Sequence, residues 1–154
     1  MAVPAGSTKA QQSCSRGAEH IVHPQETYPN NMVFQLWDAV ATFGYLNLRS
    51  ATLTEAGEHS NIDIVFNGVE YVELAEYLHG LSFDNPTPDE VAYISRRCEG
   101  VDRGGSKYVI VSNQRRYYVV ALGVSVDENN LPFGVSAIDR YFDLTKGEPE
   151  RLFQ

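Results

Sequence analysis

The sequence predicts an α+β domain: N-terminal helices followed by a curved antiparallel sheet. Three observations carry this. "NNMVFQLWDAVATFG" places Val33, Leu36, Trp37 and Val40 at helical spacing on one stripe. "VEYVELAEYLHG" groups Leu74, Tyr77 and Leu78 on one face. The C-terminal third, by contrast, is a series of Val- and Tyr-rich runs separated by turn residues.

Taken in order, residues 1–28 are rich in Ser, Ala, Gln and Gly, lack apolar periodicity and read as a loose arm. Residues 29–154 then form one domain, since 154 residues suit a single core. The first helix starts at Asn30 or Asn31 as N-cap and stops at Gly44. "YLNLRSATLTEAG" is a weaker helical segment. "NIDIVFNG" alternates as a strand, with Ile62, Ile64 and Phe66 on one face and Asp63 on the other. The helix of "VEYVELAEYLHG" ends at Gly80. "TPDEVAYISRRCEG" is ambiguous: Thr87, Pro88 and Glu90 form a helix-start signature, whereas "VAYISRRC" alternates, and a strand is the expectation adopted. "KYVIVSN", "RRYYVVALGVSV" and "FGVSAIDRYFDL" are expected to be consecutive strands of a meander.

Composition narrows the function. The formal net charge is −8, and Lys and Arg never cluster beyond the pairs Arg96-Arg97 and Arg115-Arg116. That argues against nucleic acid and against an anionic membrane surface as partners. No run reaches the ~20 apolar residues of a membrane span, and the first residues lack an apolar signal segment, so a cytoplasmic protein is expected. Cys14 and Cys98 fit no metal or redox motif, and His20 and His23 lack a third ligand nearby, so no metal and no cofactor are expected.

"FQLWDAVATFG", "IDIVFNGVEYVELAEYL" and "ALGVSVDENNLPFGVSAIDRYFDL" together resemble, in their order, the nuclear transport factor 2-like superfamily. That group includes SnoaL-type polyketide cyclases, ketosteroid isomerases and limonene epoxide hydrolase. The resemblance covers roughly residues 31–145. It implies a cone, in which a bent sheet wraps the helices around an apolar cavity, and pairing into a homodimer through the outer sheet face. Val135, Ala137 and Tyr141 would give that face an apolar stripe here.

Strand parity assigns the site. On the last expected strand Ile138, Arg140 and Phe142 share the inner face, while Asp139 and Asp143 point out. Tyr117 and Val119 share a face on the strand before, as do Lys107 and Val109 on the one before that. The resemblance to the epoxide hydrolase places Val109, Lys107 and Arg140 where that enzyme carries an Asp-Arg-Asp set, so neither of its carboxylates is kept. The resemblance to ketosteroid isomerases puts Asp63 near their general base. A carboxylate walled by apolar side chains can take a carbon-bound proton, with Arg140 stabilising the oxyanion and His59 as a proton shuttle. Trp37, Lys107, Tyr117, Val119, Ile138 and Phe142 would bind an apolar biosynthetic substrate. The expected function is a cofactor-free enzyme of cyclase or isomerase type; the alternative is a non-catalytic ligand- or protein-binding module of the same fold. A pairing of Asp63 with Arg140 would favour structure or binding over catalysis.

Overall fold

The computed structural model describes residues 27–41, 44–100 and 103–140. It overturns the expected fold class: the protein is mainly β, not α+β with N-terminal helices. Eight antiparallel strands, β1 (Tyr28–Val40), β2 (Tyr45–Leu53), β3 (His59–Asn67), β4 (Tyr71–Glu73), β5 (Tyr77–Asp84), β6 (Ser106–Ser112), β7 (Arg115–Ala121) and β8 (Gly123–Asn129), lie in the order β4-β7-β6-β5-β1-β2-β3-β8. One α-helix, α1 (Pro88–Arg97), joins β5 to β6, and a 3-10 helix spans Ala137–Arg140.

The ends of that order meet. β3 runs into β4 through residues 68–70, and β7 runs into β8 through Leu122. The β3–β8 ladder ends at Asn67 opposite Gly123, and the β4–β7 ladder resumes at Tyr71 opposite Val120. Between them Leu122 N–H donates to Asn67 O at 2.9 Å, and Glu70 N–H to Val120 O at 2.8 Å. The register slips by one residue across this corner, which is a β-bulge, and the sheet thereby closes into a barrel. A barrel this narrow is filled by its own side chains. Phe34, Leu48, Ile64, Phe66, Ile110 and Val119 are buried in one core, with Tyr108 stacked edge-on to Phe66.

Three expected helices are strands, for identifiable reasons. In β1 the ladder with β2 shifts between Leu36 and Asp38, making Trp37 an inserted residue. The bulge breaks the period of two and leaves apolar residues at helix-like spacing. Yet Val33 and Leu36 are exposed, and Phe34 is the buried side chain. In β2 every residue from Leu46 to Ser50 is buried, because both faces are covered. The segment 69–80 contributes β4 and the start of β5, where barrel pairing overrides helix-favouring Glu, Leu and Ala.

Residues 88–97 are the reverse correction, a helix rather than the expected strand. Thr87 Oγ1 accepts from Glu90 N–H and the Glu90 carboxylate from Thr87 N–H, a complete capping box. The helix buries Ile94 and Cys98 against Val120. β6 and β7 do form the expected hairpin, turned by Asn113 and Gln114 at φ 51° and 62°. β8, however, pairs with β3 rather than continuing a meander. Residues 137–140 are a 3-10 helix rather than part of a last strand. The described residues include no helix long and apolar enough to cross a membrane.

Candidate functional site

β2, β3 and β8 bring a row of polar side chains together on the outside of the barrel. Arg49 stands opposite Asp63, and Asp63 opposite Asp127. On β2, Leu46 and Leu48 take the core, so Asn47 and Arg49 face outward. They are nonetheless buried, because residues 131–139 cross over them. Val65, Ala137 and Ile138 form a small apolar cluster under that segment.

The network is dense. Arg49 Nε and Nη2 grip Asp63 Oδ1 and Oδ2 at 2.7 and 2.8 Å. Asn47 Nδ2 adds a bond to Oδ1 at 3.1 Å, and Asn129 Nδ2 one to Oδ2 at 2.7 Å. Arg49 Nη1 donates to Val135 O at 2.8 Å, tying the crossing segment to the barrel. Asn61 Nδ2 fixes Leu131 O and Asn129 Oδ1 at 2.8 and 3.0 Å. The Arg49 guanidinium also sits 4.9 Å from the Trp37 ring centre. Both ions are essentially fully buried, so the pair is stable only because each polar atom is matched. The exception is Asn47 Oδ1, a buried acceptor with no donor among the described residues.

Beside this network lies a pocket of about 460 Å³, lined by Gln35, Leu36, Trp37 and Asp38 of β1 and by Gly134, Ser136 and Asp139 of the crossing segment. The bulge at Trp37 turns both faces of β1 toward it. Phe133 meets the Trp37 ring edge-on at 5.1 Å and is 77% exposed, so it forms an apolar rim. Asp139 Oδ2 accepts from Ser136 N–H, which shapes the wall.

The residues expected to form one cavity are dispersed. Asp63 belongs to the outer network, paired with Arg49. Arg140 ends the 3-10 helix, and its side chain, like Phe142, lies outside the described residues. His59 begins β3, partly exposed, four residues before Asp63. Tyr117 and Val119 turn into the barrel with Tyr108, whereas Lys107, the neighbour of Tyr108 in sequence, takes the other face. Ile138 packs outside the barrel on Val65, and Trp37 is the member of the set that lines the pocket among the described residues. Of the expected dimer stripe, Ala137 is buried, Val135 is exposed and Tyr141 lies outside the described residues.

Asn47 and Arg49 are not legible as a site while residues 45–57 read as a helix, nor Asp38 while residues 30–44 do; Asn129 and Phe133 lie in the turn before, and at the start of, the last expected strand. Read as a strand, "YLNLRS" sets Asn47 and Arg49 on one face, a polar pair next to the strand that carries Asp63.

A second polar cluster docks α1. Arg116 Nε meets Glu90 Oε1 at 2.6 Å and its Nη1 meets Asp84 Oδ2 at 2.7 Å. The Arg116 side chain holds the Glu90 carboxyl down at about 2. Nearby, the Tyr71 hydroxyl donates to Glu73 Oε2 at 2.7 Å, and this bond, with burial, pushes the phenol up to about 12. These groups fasten the helix. No three His, Cys, Asp or Glu side chains stand together to hold a metal ion among the described residues.

Compared with known protein families, with characterised proteins and with solved structures, the chain gives no match.

Proposed function

We propose that this protein is a non-catalytic binding module whose recognition site is the pocket beside Trp37. One observation carries the reading. Asp63, the leading candidate for a general base, receives four hydrogen bonds, two of them from Arg49. A carboxylate so held has no lone pair free to take a substrate proton, and moving it would strand a buried cation. The barrel interior is occupied by Phe34, Phe66, Tyr108 and their neighbours, which leaves the outer face to do the recognising. There the pocket joins an aromatic wall and an exposed Phe133 rim, which favour binding, to two carboxylates that would orient a ligand.

Trp37 is the only tryptophan in the chain, so its fluorescence reports on the site directly. Titration of a fragment library should yield ligands that shift Trp37 emission, and Asp38→Asn should alter their affinity. A compound that is turned over, with turnover abolished by Asp63→Asn in a folded protein, would overturn this reading.

A further inference from the structure

We infer that the partner is an extended segment of another protein, added as a strand to the open edge of β1, with a Lys or Arg side chain seated in the Trp37 pocket. This deepens the binding-module reading and rests on it.

The first observation is an unfinished ladder. β5 pairs with β1 only as far as Gln35, opposite Tyr77. From Leu36 to Val40, β1 pairs with β2 on one side and with no strand on the other among the described residues. Such an edge offers backbone donors and acceptors to an incoming strand. Residues 36–40 include no Pro and no Lys, and Leu36 is half exposed; the bulge at Trp37 and the charge of Asp38 restrict the edge to a partner that fits both.

The second observation is the charge at that edge. Asp38 and Asp139 line the pocket from opposite walls, and neither makes an ion pair among the described residues. The chain as a whole carries −8. Acceptors in excess on both sides, with Trp37 and Leu36 as apolar walls, match a side chain with an apolar stem and a cationic, donor-rich head. Strand addition supplies such a side chain at a fixed register, because alternate residues of the incoming strand face the pocket.

The test selects from a random nonapeptide display library on the full chain. Enriched sequences should carry Lys or Arg at one fixed position flanked by β-favouring residues. In a synthetic copy of the best sequence, norleucine in place of that Lys or Arg should weaken binding at least tenfold. N-methylation of alternate amides should weaken binding comparably for one of the two amide sets. Asp38→Asn, with an unchanged circular dichroism spectrum, should also lose tenfold or more, while Leu53→Thr, remote from the pocket, should lose nothing. Enriched peptides without a basic residue, indifference to N-methylation of both sets, or full affinity in Asp38→Asn would each overturn the inference. So would self-association that protects the amides of residues 36–40 with no peptide enriched, since a second copy would then hold the edge. Fragments that still shift Trp37 while no peptide is selected would defeat this inference and leave the pocket reading intact.

Discussion

Arg49 on β2 lies directly opposite Asp63 on β3, and its guanidinium clasps that carboxylate while a third nitrogen holds Val135 O. One side chain therefore joins two strands of the barrel to the segment that walls the pocket. The pair is placed by the alternation of β2, which sends Leu46 and Leu48 inward and leaves Asn47 and Arg49 facing out.

Removing one partner of this pair should be severe. Arg49→Met or Asp63→Asn leaves a buried group without its match, at a cost of about 3–5 kcal/mol. The double variant should be less destabilised than the sum of the singles, by about 2 kcal/mol. Urea unfolding of the four proteins measures this; strict additivity would mean that the two ions do not depend on each other.

Gly80 is a backbone requirement. Its φ is +62°, and a Cβ there would meet Tyr28 O at 2.7 Å and Pro29 C at 2.8 Å. Both neighbours are backbone of β1, where its ladder with β5 is interrupted between Tyr28 and Val33. Gly80→Ala should cost at least about 2 kcal/mol, from a strained dihedral and a clash that no side chain can relieve. Gly57→Ala, with the same sign of φ but open space around it, should cost less. Thermal melts of the pair separate the two effects.

The helix clamp gives a pH dependence of known sign. The Glu90 carboxyl is held near 2 in the folded protein, mainly by Arg116, against 4.5 when free. A depressed folded value means that the stabilisation is complete above the free value and is lost as pH falls through the folded one. The Glu90 contribution should therefore decline between about pH 5 and pH 2. Glu90→Gln should remove about 1–2 kcal/mol at neutral pH, since Arg116 is partly solvated, and should flatten this part of the acid limb. An unchanged acid limb in Glu90→Gln would show that the clamp is not formed in solution.

Part of this was legible in the sequence. The strand at residues 59–67 and the hairpin of β6 and β7 follow from alternation and turn residues that local chemistry decides. The capping box at Thr87 and Glu90 was visible too, but an accidental alternation in "VAYISRRC" outweighed it. β1 was hidden by its bulge at Trp37, and β2 by burial of both faces. Barrel closure lies beyond local reading, because it depends on a ladder between residues 45 to 68 apart that turns the corner at Leu122. For the site, Asp63 and Trp37 stood out as residue types, whereas their link through Arg49 needed the pairing of β2 with β3.

On the reading proposed above, the Arg49–Asp63 pair is a structural clamp that holds the pocket wall and not a catalytic group. Amide hydrogen exchange in Arg49→Lys tests it most directly. A lysine keeps the charge but cannot hold Asp63 with two nitrogens and Val135 O with a third. Val135, Ser136, Ile138 and Asp139 now donate their amides within the crossing segment. These four should lose protection by tenfold or more, and ligand-induced change at Trp37 should weaken with them, while the core amides of β6 and β7 keep their rates. Unchanged protection across residues 131–139 would contradict it.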